Sequence, residues 1–152
     1  MADLKSLRLA VLGAGAVGGY IGGQLARAGY RVALIDSWAE HVDHIKAHGI
    51  RLTDPLGSVV ANAEAMHLHE VQSLIRDPVD IAFICTKSYD TAWNAKMIAP
   101  YLRENGFVVS VQNSLNEHEI AAIVGADRTL GCIASTISVS VTGPGVVERA
   151  RT

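Results

Sequence analysis

The sequence predicts an α/β fold of the doubly wound kind, a mostly parallel sheet with helices on both faces, in a single domain. Three observations carry that prediction. Short apolar runs alternate with segments of helical period along most of the chain. A glycine-rich turn, Gly13-Ala14-Gly15-Ala16-Val17-Gly18, joins the first such run to the first helix. The length, 152 residues, fits one domain on the usual scale of about 100–200 residues.

Each element has its own warrant. Leu7–Leu12 is a short buried strand, and Ala16–Ala28 a helix that Gly29 ends as a C-terminal cap. Arg31–Ile35 is the next strand. Ser37-Trp38-Ala39-Glu40 has the form of a capping box, opening a helix that ends near His48-Gly49 with Trp38, Val42 and Ile45 on one face. Ile50–Thr53 and Ser58–Ala63 flank the turn Asp54-Pro55-Leu56-Gly57 as a small hairpin-like excursion. Val71–Arg76 reads as a short helix. Asp80–Thr86 is a strongly buried strand. Thr91–Glu104 reads as a helix capped by Asp90 and stopped by Asn105-Gly106, followed by a strand at Phe107–Val111. A helix starts around Glu117 and runs to Val124. Leu130–Val141 and Val146–Arg149 are extended segments around a turn at Gly143-Pro144-Gly145.

Ligands of such folds bind beyond the carboxyl ends of the strands. That rule points to Gly13–Gly18, Asp36, Thr86–Asp90 and Gln112–Asn116, each of which follows a predicted strand. The glycine turn matches G-x-G-x-x-G. With an acidic residue, Asp36, at the end of the next strand, it reads as a Rossmann-type dinucleotide-binding element. Gly13 permits the turn, Gly15 lets a pyrophosphate approach the backbone, and Gly18 lets helix and strand pack closely. The free N–H groups of the helix start complete the phosphate cradle. Gly18, Gly22 and Ala26 form a small-residue stripe with Gly19 and Gly23 beside it. Each glycine inside a helix costs about 1 kcal/mol relative to alanine, so the stripe signals tight packing of helix on sheet.

Leu9–Ala26 also lacks any charge, so its length raises a membrane span or an export signal. Six glycines make it only weakly apolar, and the strand–helix rhythm needs it as the first unit. The reading is therefore a cytoplasmic protein without membrane attachment. A net charge of −2 gives no footprint for nucleic acid. Cys85 and Cys132 lack C-x-x-C spacing and read as buried thiols in a reducing compartment. His41, His44 and His48 share a helical face, and His67 and His69 are two apart. The first set reads as a solvated histidine face, and neither set is taken as a metal site. No G-x-S-x-G elbow marks a hydrolase, and the glycine turn is not closed by a lysine followed by Ser or Thr, as a P-loop requires.

Three later stretches become legible together: Thr86–Thr91 (TKSYDT), Val111–Glu117 (VQNSLNE) and Gly143–Val147 (GPGVV). With LGAGAVGG near the start, this order and spacing resembles the ketopantoate reductase family, NAD(P)-dependent reductases of 2-keto acids (2-dehydropantoate 2-reductases of pantothenate biosynthesis). The resemblance covers the whole chain but only the family's N-terminal half. It implies that residues 1–152 form the dinucleotide-binding domain. It places the family's general-acid lysine and a substrate-binding glutamate in a C-terminal helical domain beyond Thr152, so that this chain alone is expected to be inactive. It also implies that Lys87 lies near cofactor and substrate, where a cation could neutralise substrate or cofactor charge. Asn113 matches the family asparagine that contacts the nicotinamide side and the substrate. From the residues alone, Lys87 also reads as a solvated lysine at a strand end. Asn113 also reads as a turn or capping asparagine, because Ser114-x-x-Glu117 and Asn116-x-x-Glu119 both resemble helix starts. Ser114 and Asn116 stand where the family has glycines, which leaves the local backbone open.

The cofactor-binding set is thus Gly13, Ala14, Gly15, Ala16, Val17, Gly18, Asp36 and Thr86, with Lys87 and Asn113 toward the substrate. Asp36 followed by Ser37, with no Lys or Arg before Lys46, favours NAD over NADP, since a carboxylate accepts from ribose hydroxyls and repels a 2′-phosphate. The partners expected are a small 2-keto acid and, as an open expectation, a second copy in a homodimer. Two other readings remain: a stand-alone dinucleotide-binding, redox-sensing module, and another Rossmann enzyme of the 6-phosphogluconate dehydrogenase kind.

Overall fold

A computed structural model describes residues 4–150; the expected domain limit at Thr152 lies outside them. Six parallel strands form the main sheet: β1 (Arg8–Leu12), β2 (Arg31–Asp36), β5 (Glu64–His67), β6 (Val79–Ile84), β7 (Leu102–Ser110) and β8 (Thr129–Gly131), in the order β5-β2-β1-β6-β7-β8. Counting this sheet's strands alone, that is 3-2-1-4-5-6, the order of dinucleotide-binding sheets. The order reverses between β1 and β6, whose residues Leu12 and Ile84 are partners in register.

A second sheet of four strands gathers β3 (Ile50–Asp54), β4 (Gly57–Ala61), β9 (Val139–Gly143) and β10 (Val146–Arg149) in the order β4-β3-β10-β9. The predicted hairpin is β3–β4, antiparallel. The two distant extended segments join it through a parallel pairing of β10 with β3.

The first helix, α1 (Ala16–Arg27), lies between the two sheets, which gives its glycines their reason. A Cβ on Gly18 would fall 2.9 Å from Val11 and Cys85, and one on Gly22 would fall 2.3 Å from Leu34, all toward the main sheet. A Cβ on Gly19 would meet Val147 at 3.0 Å, and one on Gly23 would meet Leu52 at 2.9 Å, both in the small sheet. Two adjacent small-residue stripes thus bring one helix against two layers. The span Leu9–Ala26 is a strand, a loop and a helix in succession. Among the described residues no helix is long and apolar enough to cross a membrane.

The strands of the main sheet are buried on both faces, so alternate residues feed two cores. Leu12, Ile35, Ile84 and Val108 meet Ala95 and Ile98 of α3 (Thr91–Ile98) and Ile120 of α4 (Glu117–Val124). Val11 and Leu34 meet Val42 and Ile45 of α2 (Ala39–His48), together with Ile50, Leu52 and Val147 of the small sheet. Each such fully buried side chain contributes about 1.5–3 kcal/mol.

Several expectations are corrected. The helix expected at Thr91–Glu104 ends at Ile98, because Pro100 lacks the N–H to continue it, and β7 begins at Leu102. Asn105-Gly106 lies inside β7 rather than after a helix. Val71–Arg76 is part of a longer 3-10 segment, Leu68–Arg76. The Ser37 capping box does not form: Trp38 takes the N-cap position with no side-chain cap, and the Trp38 N–H donates to Asp36 Oδ1 at 2.9 Å. Trp38 is therefore exposed instead of sharing the buried face of Val42 and Ile45. His41, expected in solvent, is fully buried. Cys132, expected buried, is exposed.

Candidate dinucleotide site at the carboxyl ends of the strands

The loops that follow β1, β2, β6 and β7 emerge at one end of the sheet, where the strand order reverses. Gly13 leaves β1 with φ +87, a conformation L side chains rarely adopt, and its N–H donates to the Ile35 carbonyl at 2.9 Å. A Cβ there would sit 2.6 Å from the Thr86 methyl group. Gly13 is thus required twice, for its turn and for the approach of the β6 loop. Gly15 differs from every neighbouring glycine: a Cβ on it would meet nothing within 4 Å. Protein packing therefore does not explain Gly15. The first backbone bond of α1 runs from the Gly19 N–H to the Gly15 carbonyl at 2.7 Å. The N–H groups of Ala16, Val17 and Gly18 precede it in the first turn, where helix amides lack an intrahelical acceptor.

Gly13, Asp36 and Thr86 line one cleft of about 320 Å³, together with Ser37, Leu68, Asp90, Trp93 and Asn94. Asp36 Oδ1 accepts from the Trp38 N–H, which fixes the carboxylate at the edge of this cleft. Thr86 is held at both ends, its Oγ1 accepting from Asn94 Nδ2 and its carbonyl from Gln112 Nε2, each at 3.0 Å.

Lys87 and Asn113 do not line that cleft. They are exposed on the adjacent loops after β6 and β7, and neither side chain makes an ion pair or hydrogen bond with a described residue. The capping alternative for Asn113 does not hold, since Asn116 is the N-cap residue of α4. The side chains around the pair are all engaged. Gln112 Oε1 faces three donors: Thr91 Oγ1 at 3.0 Å, Asn116 Nδ2 at 3.1 Å and Ser110 Oγ at 3.3 Å. Ser88 Oγ lies 3.1 Å from Ser114 Oγ and accepts from Asn116 Nδ2 at 3.3 Å. So Ser114 and Asn116 tie the Lys87 loop to the Asn113 loop. Neither has a positive φ, so the backbone does not need glycine there.

Beneath the glycine loop, burial pushes the Cys85 thiol up to about 12, with Cys132 adding to the effect. It is protonated and inert at neutral pH. A larger cleft, about 450 Å³, lies at the opposite ends of the strands, lined by Arg8, Arg31, Glu64 and Asp77. Its charges pair with one another, Arg8 with Glu64 and Arg31 with Asp77 at 2.5 Å, which leaves no free charge to recognise an anion. Among the described residues no cluster could hold a metal ion. His67 and His69 stack on each other, and His67 Nε2 lies 2.8 Å from Asp43 Oδ1.

Sequence reasoning passed over two side chains that shape this region. Gln112 was legible only as part of a motif. His41 lies under the glycine loop, with Nε2 2.9 Å from the Ala14 carbonyl and Nδ1 2.9 Å from the Gly145 nitrogen. Its period on the helix carried a hint, because it precedes the buried Val42 and lies one turn before Ile45. Its partners are far off in the chain, so no local pattern could show them.

Comparison with known proteins bears on the family and the fold. The sequence model of the family described as ketopantoate reductase PanE/ApbA matches residues 9–152. The 2-dehydropantoate 2-reductase of Halobacterium salinarum is 31% identical over 145 residues, covering 95% of this chain and 46% of that protein. The enzyme of the same name from Pyrococcus horikoshii is 32% identical over 143 residues, 93% of this chain and 44% of the relative. The crystal structure of a PanE/ApbA family ketopantoate reductase from Ralstonia eutropha superposes with a TM-score of 0.81 at 31% identity, over 94% of this chain and 46% of that one. The ternary structure of D-mandelate dehydrogenase with NADH and anilino(oxo)acetate superposes with a TM-score of 0.83 at 28% identity, over 94% and 45%. The chain spans about half the length of the relatives it matches.

Proposed function

This chain belongs to the ketopantoate reductase family, and from that premise we propose that it is the dinucleotide-binding half of an NAD(P)-dependent oxidoreductase that reduces a small 2-keto acid to the 2-hydroxy acid. One observation carries the reading. At the point where the strand order reverses, Gly13 with its positive φ and the Asp36 carboxylate line one cleft, and Gly15, two residues after Gly13, has open space where a Cβ would go. The residues present fit the group. A side chain at Gly15 would fill the space a pyrophosphate needs, and the cleft beside Asp36 suits an adenosine ribose.

The bound nicotinamide would supply the hydride; the protein supplies binding, orientation and charge placement. Gly15 admits the phosphates, and the Ala16 and Val17 amides face them with the dipole of α1 behind. The Asp36 carboxylate accepts from the ribose and disfavours a 2′-phosphate, so NAD(H) is preferred. Asn113, free at both ends of its carboxamide, can donate and accept at the nicotinamide side. Lys87 presents its ammonium to a substrate carboxylate. The homologous reductases and the NADH complex of mandelate dehydrogenase support a keto or hydroxy acid as the substrate class. Parallel calorimetric titrations with NADH and NADPH test the reading. Saturable NADH binding, weaker for NADPH, is expected, and no binding of either would overturn it.

A further inference from the structure

We infer that His41 is a positioning residue that sets the direction of the phosphate-facing amide of Gly15 and couples it to the turn of the small sheet. The inference rests on the dinucleotide reading above and adds a residue to it. His41 is fully buried and makes two hydrogen bonds, both to backbone. The Gly145 N–H can only donate, so Nδ1 must be the acceptor. Nε2 therefore carries the proton and donates to the Ala14 carbonyl. One tautomer satisfies both contacts, and the other satisfies neither.

The consequence follows from the peptide plane. In a planar trans unit, C=O and N–H point in opposite directions. Drawing the Ala14 carbonyl toward His41 therefore turns the Gly15 N–H away from the core. Gly15 is the loop residue whose Cβ position is open. The far end of the linkage is equally constrained. Gly145 has φ +68, and a Cβ there would lie 2.2 Å from His44 Cδ2, so only glycine lets the turn reach His41. Trp38 stacks on the imidazole at 5.1 Å between ring centres, and the Trp38 N–H is the group that holds Asp36. One side chain thus links the glycine loop, the residue proposed to read the ribose, and β9–β10.

Two substitutions separate the two contacts. His41→Gln can place an amide N–H where Nε2 stands and keep the Ala14 contact. His41→Asn can place a carbonyl where Nδ1 stands and keep only the Gly145 contact. NADH titrations of the 152-residue chain should show His41→Asn weakened about 10-fold and His41→Gln within about 3-fold of the unaltered chain, the range expected for losing or keeping one buried hydrogen bond. Thermal melts taken in parallel should fall by similar amounts in both. A third measurement needs no variant. On NADH addition, hydrogen exchange at the Gly145 amide should slow more than at the Leu56 amide, which belongs to the hairpin of the same sheet. Equal NADH affinity in all three proteins, or affinities that merely follow the melts, would overturn the inference, as would equal protection at Gly145 and Leu56. Failure of the unaltered chain to bind NADH would overturn the function reading and this one with it.

Discussion

Glycines of one motif answer to different forces, and the structure separates them residue by residue. Gly15 has open space where a Cβ would go, so Gly15→Val should keep the fold yet lose dinucleotide binding. Unchanged NADH affinity in a variant with a normal circular dichroism spectrum would show that Gly15 does not face the ligand. Asp36 is the second residue with a measurable consequence. Unit charges about 4 Å apart interact by roughly 4 kcal/mol at an effective dielectric near 20. The site is open to solvent, which leaves roughly 1–3 kcal/mol, or about 5- to 150-fold, against a 2′-phosphate. Because Trp38 and not Ser37 holds the cap position of α2, Ser37 is free to change. The double substitution Asp36→Ala with Ser37→Arg should then reverse the preference toward NADPH in paired titrations. The cysteines differ as sharply: Cys132 is exposed, while Cys85 titrates at about 12. A thiol reagent at pH 8 should label Cys132 quickly and Cys85 only after unfolding. Since the folded pKa of Cys85 lies above its ordinary 9.0, its contribution to stability is complete below pH 9 and is lost as pH rises toward 12.

At the level of elements, α1 makes the strongest claim, because alanine should favour a helix over glycine by about 1 kcal/mol per position. Here that gain is outweighed. A Cβ on Gly18 would lie 1.9 Å from the Gly13 carbonyl oxygen, which is backbone and cannot move aside. On Gly23 it would meet the ends of the Leu52 side chain at 2.9 Å, which can shift. Gly18→Ala should therefore lower Tm far more than Gly23→Ala, the overpacking cost being about 1–3 kcal/mol or more against a partly compensated change. Equal melts for the two would mean that α1 can slide between its sheets. The same element shows why sequence reading worked in some places and not others. β1, α1, β2 and α4 were legible because each carries a local mark: an apolar run, a glycine turn, Gly29 as a stop, or a charged first turn at Glu117 and Glu119. β5 was missed because Glu64–His67 is four residues long and has no β-branched side chain. The small sheet was seen only as pieces, since β3 and β10 lie almost a hundred residues apart and pair through no local signal. In the site, Asp36 and the glycine turn stood out by spacing, while His41 and Gln112 act through long-range contacts.

For the whole molecule, the question is what this arrangement can do without further groups. The cofactor cleft is assembled from described residues alone, so binding should be intact. The nicotinamide side is different. The loops that carry Lys87 and Asn113 also expose Tyr89 and Leu115 to solvent. Hydride transfer to a keto group needs a proton donor at the developing alkoxide and a site that excludes water. The chain spans about half the length of the relatives it matches, and what the resemblance implies is a general acid and a substrate-binding carboxylate in the other half of those proteins. General acid catalysis alone contributes about 10²–10⁴-fold. We therefore predict that the 152-residue chain binds NADH, with a rise in Tm that grows with ligand concentration. Its NADH oxidation should be no faster with ketopantoate or another 2-keto acid than without. Among the described residues Lys87 is a side chain that could contradict this, as an exposed ammonium on the loop that Ser88 and Ser114 tie to the Asn113 loop. Keto-acid-dependent turnover that disappears in Lys87→Met while NADH binding persists would place the acid on this chain and refute the division of labour.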